Sequence, residues 1–270
     1  MYNFTMSESA EVLHEFSAGE AHIRVYRSAA AAGRAAAEHA AKVIRDAIAR
    51  KGEARIIGAT GNSQIPVADA LVEQKLDWSA VELFHMDEYA GMKANHPASF
   101  RLWMKTRLAD KVHPGKTHYL EADAPDLSAE MIRYSALLSK APIDLAFVGF
   151  GENGHIAFND PAVADFNDPA MVKIIELDEA CRQQQAGEGH FADVASVPKE
   201  AVTITCPGLF RAAAWVCCVP EGRKAEAVQN ALEGPISEDC PASLVRRHPN
   251  ANVYLDLDSA ARLSAMGAHV

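Results

Sequence analysis

Residues 143–161 read IDLAFVGFGENGHIAFNDP, and this stretch decides the class of fold. Its first eight residues, Ile143–Phe150, form a short and nearly continuous apolar run, and polar residues crowd directly behind them. Apolar runs of this length without polar alternation are typical of strands that are buried on both faces. We therefore interpret the run as a central strand of a parallel sheet, followed by a polar loop at its carboxyl end.

Similar runs recur along the chain and alternate with segments of helical character. The other predicted strands are Ala54–Ala59, Val81–Met86, Ala212–Val219 and Val253–Leu257, with Val172–Leu177 as a weaker candidate. The predicted helices are Ala29–Ala49, Pro66–Gln74, Pro97–Leu108, Leu127–Lys140, Arg223–Leu232 and Pro241–Arg247. This alternation predicts an α/β fold, a three-layer α/β/α sandwich with a mostly parallel, Rossmann-like sheet. We expect residues 1–270 to form a single domain.

Composition and charge narrow the classes of partner. With 49% hydrophobic and 23% charged residues, the chain of 270 residues has the composition of an ordinary globular protein. Its formal net charge of −10 repels nucleic acid and anionic membranes, so we predict neither as a partner. A phosphorylated small molecule is still compatible with this charge, because a local cluster of donors can outweigh distant carboxylates.

The sequence also carries signals about the cellular compartment. No window reaches the ~18 apolar residues that a membrane span needs. The segment Met1–Glu20 contains four glutamates and no long apolar stretch, so we do not interpret it as a signal peptide. The cysteines form no C-x-x-C pair, and we interpret all five as free thiols: Cys181, Cys206, Cys217, Cys218 and Cys240. We therefore expect a cytoplasmic protein.

Ligands of such sheets bind beyond the carboxyl ends of the strands, so the loops after the predicted strands are the candidate sites. The first loop, Thr60-Gly61-Asn62-Ser63, combines hydroxyl and amide donors with a glycine and precedes a helix, whose N-terminus favours an anion. The alternative is a plain turn with a helix N-cap. The loop is too short for a Walker A motif, and no Gly-Lys-Ser/Thr follows it.

A second candidate for anion binding is Lys224, which lies shortly after the run Ala212–Val219 and near the start of a helix. A basic side chain at this end of a helix opposes the macrodipole. An anionic ligand that contacts the lysine would explain this unfavourable placement. A solvated lysine is the alternative.

Two consecutive carboxylates, Asp87 and Glu88, follow the run Val81–Met86. Successive side chains of an extended segment point to opposite sides. One carboxylate can therefore face a pocket while the other binds a neighbour or solvent. The alternative is an acidic N-cap for the helix that begins near Pro97.

The glycines of the opening stretch match G-x-G-x-x-G, the dinucleotide-binding fingerprint. That motif must open a long helix, but Asn159-Asp160-Pro161 and Asn167-Asp168-Pro169 interrupt the chain here, so we predict no NAD site. His155 alone is compatible with a histidine of the core. Its crowding with Glu152, Asn153 and Asp160 at one strand end favours a functional site instead.

Taken together, these loops resemble those of the glucosamine-6-phosphate deaminase and 6-phosphogluconolactonase superfamily. The resemblance covers nearly the whole chain. It rests mainly on Met86-Asp87-Glu88-Tyr89-x-Gly91 with His96-Pro97-x-Ser99, and on Gly154-His155-Ile156-Ala157-Phe158-Asn159-Asp160-Pro161. Lactonases of this superfamily typically have arginine at the position of Tyr89 and lack the Ile-Ala-Phe-Asn continuation, and both differences favour the deaminase branch.

The resemblance implies a role for each site residue. Asp87 matches the base that moves a proton between C2 and C1 of an amino-sugar phosphate, and His155 matches the acid/base that opens the sugar ring. Asp160 matches a carboxylate, usually Glu, that orients this histidine, and Asn153 matches a position usually held by Asp. The implied phosphate-binding residues are Thr60, Gly61, Asn62, Ser63, Lys224 and, from the lid, Arg182. No cofactor and no metal are implied, and we find no metal-ligand spacing in the sequence.

Two segments depart from the pattern of the family. The lid usually supplies an arginine to the phosphate, but the matching region 178–191 contains only Arg182, amid Gln183-Gln184-Gln185. The segment Ala162–Val172 has no Arg or Lys, so we predict no allosteric activation by an N-acetylated amino-sugar phosphate. Family members range from monomers to hexamers, and a homo-oligomer is compatible with the resemblance.

The resemblance implies one leading function and two others. The leading hypothesis is an enzyme that combines aldose–ketose isomerisation with deamination and converts glucosamine 6-phosphate and water into fructose 6-phosphate and ammonia. A 6-phosphogluconolactonase-type hydrolase of the same fold is the alternative. A non-catalytic sugar-phosphate sensor, suggested by the departures at Asn153 and Asp160, is the third. All three take a small-molecule sugar phosphate as partner.

Overall fold

The computed structural model describes residues 11–177, 179–187, 189 and 191–267, without the side chains of residues 180 and 184. The first ten residues of the segment Met1–Glu20 therefore lie outside the described residues. No helix in the described ranges combines the length and the apolar character that a membrane crossing requires.

Eleven strands are described. In chain order they are β1 (His14–Ala18), β2 (Ala21–Tyr26), β3 (Ala54–Gly58), β4 (Val81–His85), β5 (Asp87–Tyr89), β6 (Lys116–His118), β7 (Leu145–Val148), β8 (Val172–Glu176), β9 (Glu200–Ile204), β10 (Trp215–Val219) and β11 (Ala251–Asp256). Eight of them form the central sheet, in the order β1-β2-β11-β10-β7-β3-β4-β6. Within it only the β1–β2 hairpin is antiparallel. The predicted mostly parallel sheet is confirmed.

The α-helices are α1 (Ala29–Lys51), α2 (Ile65–Val72), α3 (Phe100–Met104), α4 (Asp110–Val112), α5 (Leu127–Ser139), α6 (Glu179–Gly187), α7 (Cys206–Phe210), α8 (Ala225–Glu233) and α9 (Leu257–Ala260). A π-helical turn, Lys105–Ala109, joins α3 to α4. The predicted helix Pro97–Leu108 begins later, at Phe100, because the Ser99 side chain caps it by accepting from the Leu102 N–H. The predicted helix Pro241–Arg247 is a 3-10 helix.

Two apolar layers cover the two faces of the central sheet. Because side chains alternate along a strand, Ile56 and Leu83 pack on the side of α1 and α2, while the next residues, Ile57 and Phe84, pack on the side of α5 and α8. The continuous apolar runs in the sequence thus reflect burial on both faces. The three-layer α/β/α sandwich is confirmed.

A small antiparallel sheet, with strand order β5-β9-β8, extends from one end of the main sheet. The sequence predicted β8 but neither β5 nor β9. Only Met86 separates the end of β4 in the main sheet from the start of β5 in the small sheet. The small sheet and helix α6 share an apolar cluster that includes Tyr89, Phe158 and Cys181. We call α6 the lid helix.

Candidate active site

Four loops converge at the carboxyl ends of four neighbouring strands, β10, β7, β3 and β4. The chain leaves β3 towards β4 on one side and leaves β7 towards β10 on the other, so β3 and β7 flank the point where the strand order reverses. Ligand crevices of open α/β sheets lie at such switch points. The topology therefore brings together the loops that the sequence singled out.

These loops form a half-open pocket with about 570 Å³ of atom-free space, including its mouth. Seven of the predicted site residues line it: Thr60, Gly61, Asn62, Ser63, Asp87, His155 and Lys224. The remaining lining residues are apolar or glycine, apart from Gln185 of the lid helix.

Lys224 is 3% exposed although it carries a long charged side chain. It ends a 3-10 turn, Gly222–Lys224, that opens from Glu221, whose φ of 84° is unusual for a residue with a side chain. Asp256 holds this turn, because its two carboxylate oxygens accept the Glu221 N–H at 3.2 and 3.1 Å. Among the side chains that line the pocket in the described ranges, Lys224 is the one Lys or Arg.

The Thr60–Ser63 loop is tied to the neighbouring strand through Gln64. The amide nitrogen of Gln64 donates to the Cys218 carbonyl of β10 at 3.0 Å and contacts the Ser63 hydroxyl at 3.3 Å. Gly61 has a φ of 98°, which a side chain would strain. The loop thus presents its donors from a fixed backbone beside Lys224.

Asp87 and Glu88 point to opposite sides, as the alternation of an extended segment predicts. Asp87 lines the pocket. Glu88 is fully buried and accepts four hydrogen bonds, from the backbone N–H groups of Tyr89, Phe100 and Arg101 and from the Ser99 hydroxyl. Asp87 thus faces the pocket, whereas Glu88 accepts two backbone N–H groups of the first turn of α3, a helix whose N-cap is Ser99.

The environment of Asp87 favours its neutral form. Its side chain is 6% exposed. Burial, with a smaller contribution from the negative charge of Glu88, raises the pKa of Asp87 to about 8. At neutral pH the group therefore lies close to the point at which it both accepts and releases a proton, which suits a general acid/base.

His155 is held from one side by two polar neighbours. Its Nδ1 lies 2.8 Å from Asn153 Oδ1 and 3.0 Å from Asp160 Oδ1, and Asn153 Nδ2 donates to Asp160 Oδ1 at 2.8 Å. Burial opposes ionisation of Asp160, but its hydrogen bonds with His155, Asn153 and the Cys181 thiol outweigh burial and lower its pKa to about 2. With Nδ1 engaged, Nε2 is the nitrogen available to a ligand.

Asn153 and Asp160 thus stand behind His155 rather than in the pocket wall. Arg182 also does not line the pocket. Its guanidinium group donates to the carbonyls of Val194 and Val197, at 2.6 and 3.3 Å. The lid residue that reaches the pocket is Gln185, which the sequence analysis did not single out because nothing in a run of three glutamines distinguishes the one that faces inward.

Within the described part of the chain, no three His, Cys, Asp or Glu side chains converge as a metal site would require. The chemistry that the residues offer is acid–base chemistry by Asp87 and His155, beside donors for an anion. The fold and this pocket together define the class of protein, a Rossmann-like α/β protein with an acid–base pocket at the switch point of its sheet. The chain belongs to the family of glucosamine-6-phosphate isomerases and 6-phosphogluconolactonases, whose sequence model matches residues 27–254.

Individual relatives agree with this assignment. A glucosamine-6-phosphate deaminase of Exiguobacterium sp. is 36% identical over 220 residues, which cover 82% of this chain and 85% of the relative. A glucosamine-6-phosphate deaminase of Oenococcus oeni is 34% identical over 212 residues, which cover 78% of this chain and 88% of the relative. The solved structure of a monomeric glucosamine-6-phosphate deaminase matches with a TM-score of 0.81 at 29% identity, covering 88% of this chain and 98% of that one. A 6-phosphogluconolactonase of Shewanella baltica, at 16% identity and a TM-score of 0.72 over 91% and 100% of the chains, shares the fold.

Proposed function

We propose that the protein is a glucosamine-6-phosphate deaminase, which converts glucosamine 6-phosphate and water into fructose 6-phosphate and ammonia. The observation that carries the proposal is the common pocket of Asp87, His155 and Lys224. Deaminases that cover most of the chain at 34–36% identity support the choice of reaction. The residue roles below are part of the proposal.

Binding begins with the phosphate of the substrate. Lys224 and the donors of the Thr60–Ser63 loop hold it at the β10 and β3 side of the pocket. A fixed phosphate positions the reacting carbons against Asp87 and His155, and such orientation contributes several kcal/mol to catalysis.

Ring opening is assigned to His155. Its Nε2 takes the proton of the O1 hydroxyl and returns a proton to the ring oxygen O5 as the C1–O5 bond breaks, which leaves the open-chain aldehyde. The carboxylate of Asp160 stabilises the imidazolium that forms in between, because it lies 3.0 Å from Nδ1. Asn153 fixes the direction of the ring without adding charge.

Isomerisation is assigned to Asp87. Its carboxylate removes the proton from C2 while O1 takes a proton from the ammonium group on C2, which gives an enolamine. The protonated Asp87 then returns its proton to C1. The nitrogen on C2 is left as an iminium group, which water hydrolyses to the ketone with release of ammonia. A carboxylate with a pKa of about 8 is basic enough to take the C2 proton and acidic enough to give it back.

The test is ammonia release from glucosamine 6-phosphate, measured with a coupled dehydrogenase. We expect ammonia and fructose 6-phosphate in equal amounts, and a loss of at least about 10²-fold in kcat for Asp87→Asn. Hydrolysis of 6-phosphogluconolactone without ammonia from the amino sugar would instead support the lactonase alternative. Binding of sugar phosphates without turnover of either compound would support a sensor.

We also propose that the enzyme works in the cytoplasm. All five cysteines are buried free thiols, which a reducing compartment preserves. Cell fractionation with an antibody against the protein tests this location, and recovery from an oxidising compartment would contradict it.

A further inference from the structure

The lid helix presents a neutral amide to the pocket where a charged residue was expected. Gln185 is 6% exposed and lines the same pocket as Asp87 and Lys224. Arg182, one helical turn earlier, is occupied by two backbone carbonyls outside it.

One end of the Gln185 amide is fixed by the protein. The Tyr89 hydroxyl donates to Gln185 Oε1 at 2.5 Å, and the Tyr89 ring packs against the rings of Phe100 and Phe158. Because Oε1 is engaged by Tyr89, the N–H groups on Nε2 are the end of the amide that is left to act on a ligand. Gln185 lines the pocket, so an oxygen of a bound ligand is the natural acceptor for these N–H groups.

The anchor places this amide near Asp87 rather than near Lys224. Tyr89 follows Asp87 by two residues on β5, so the two side chains lie on the same side of that strand. Lys224 follows β10, which is three positions from β4 in the sheet, a spacing of about 14 Å at the usual distance between strands. The Gln185 amide therefore lies toward the reacting carbons of the substrate.

We propose that Gln185 is a specificity-determining residue whose amide N–H groups donate to an oxygen of the sugar moiety beside Asp87. The phosphate does not need the lid for its charge, because Lys224 and the Thr60–Ser63 loop hold it. Tyr89 acts as a positioning residue that aims the amide. The inference rests on the proposed function for its sugar-phosphate ligand, but it does not require turnover.

The variant Gln185→Glu tests the donor end of the amide while it keeps the acceptor end. Glutamate has the same shape and can still accept from the Tyr89 hydroxyl, but it has no N–H to donate. Gln183→Glu is the matched control, because Gln183 is exposed on the same helix and its substitution adds the same charge. Calorimetric titration with fructose 6-phosphate, without ammonia, and separately with inorganic phosphate measures binding alone.

For Gln185→Glu we expect fructose 6-phosphate to bind at least about 10-fold more weakly, whereas the affinity for inorganic phosphate should change by no more than about 2-fold. The Gln183→Glu protein should bind both compounds as the native protein does. Tyr89→Phe should weaken the binding of fructose 6-phosphate about 3-fold or more and leave the affinity for inorganic phosphate unchanged.

Unchanged affinity for fructose 6-phosphate in Gln185→Glu would overturn the inference. So would an equal loss for inorganic phosphate, which would assign Gln185 to the phosphate, or a native protein that does not bind fructose 6-phosphate at all. Failure of the proposed function has a different signature, since a native protein that binds the sugar phosphate but releases no ammonia would leave the role of Gln185 standing.

Discussion

Gly151 lies directly against the imidazole ring of His155. A methyl group on the Gly151 α-carbon would come within 2.2 Å of both Cε1 and Nδ1 of that ring, far closer than non-bonded atoms approach. The two residues are also joined through the backbone, where the Gly151 N–H donates to the His155 carbonyl at 2.8 Å. The ring therefore occupies its place beside Asp160 only because position 151 has no side chain.

We expect Gly151→Ala to displace the imidazole and to reduce kcat by about 10²-fold or more, the usual contribution of a positioned acid/base. Gly267→Ala is the control, because a methyl group there meets its nearest neighbour at an ordinary 3.7 Å. Steady-state ammonia release measures both variants. Native kcat in Gly151→Ala would show that the ring position is not critical.

The raised pKa of Asp87 predicts an effect on stability as well as on activity. The unfolded chain loses the Asp87 proton near pH 3.9, whereas the folded chain keeps it up to about pH 8. Between these values the folded state binds more protons, so this group lowers the free energy of unfolding as pH rises. Asp87→Asn removes this destabilisation. In urea titrations we expect the free energy of unfolding of the variant to exceed that of the native protein by a few kcal/mol at pH 8 and by little at pH 4. A variant that is inactive and less stable at pH 8 would contradict this picture.

The ionisation of Asp87 should also be visible in the pH dependence of the rate of the native enzyme. Because the base must be ionised, kcat/KM should rise with pH and level off above about pH 8. A pH profile of ammonia release measures this limb. A profile already flat from pH 5 upward would exclude Asp87 as a base with a raised pKa.

Glu88 should have the opposite effect to its neighbour. Its four accepted hydrogen bonds tie β5 to the start of α3, so removal of the buried carboxylate leaves those donors unpaired. We expect Glu88→Ala to lower the free energy of unfolding by about 3 kcal/mol or more, measured by urea denaturation at pH 7. Glu11, which is exposed, offers the control variant Glu11→Ala. Equal stability of the two variants would contradict the capping role.

Asp160 should affect both kcat and acid stability. Its folded pKa of about 2 lies below the unfolded value, so the hydrogen bonds of its carboxylate contribute stability above about pH 4, and this contribution is lost as pH falls through 2. For Asp160→Asn we expect kcat to fall by about 10–100-fold with little change in KM, and the unfolding free energy at pH 7 to fall by about 2 kcal/mol. Asp239→Asn, at an exposed position, should change neither quantity.

Lys224 should govern affinity for the anion. A charge-assisted hydrogen bond is worth about 1.5–3 kcal/mol, so we expect Lys224→Met to raise the inhibition constant of inorganic phosphate at least about 10-fold. Lys199→Met removes a charge from an exposed position and should leave that constant unchanged. If both variants behave alike, the phosphate site lies elsewhere.

The parts of the fold that the sequence predicted are those with a strong local signal. Strands β3, β4, β7 and β10 are buried on both faces and consist mostly of apolar residues. The first helix, predicted as Ala29–Ala49, is followed by Gly52 as a left-handed C-cap. The β1–β2 hairpin was missed because β1 has no buried residue and therefore no continuous apolar run. The short strand β5 was missed because its pairing with β9 depends on contacts between distant segments.

The site was predictable to the extent that it follows strand ends. Asp87, His155 and Lys224 each lie just beyond a strong strand, and parallel topology then brings them to one edge. The sequence of the lid helix did not indicate which of its residues reaches the pocket. Arg182 and Gln185 are three residues apart on α6, so the rotation of the helix decides which one reaches the pocket, and that rotation is set by packing of Cys181 and its neighbours in the apolar cluster.

The single residue between β4 and β5 has a consequence for how the pocket is assembled. At Met86 the chain passes from the central sheet to the small sheet, and Asp87 is the first residue of the small sheet. The Thr60–Ser63 loop and Lys224 instead follow strands β3 and β10 of the central sheet. Asp87 and the proposed phosphate-binding residues therefore belong to different sheets, and the pocket is complete only where the two sheets meet.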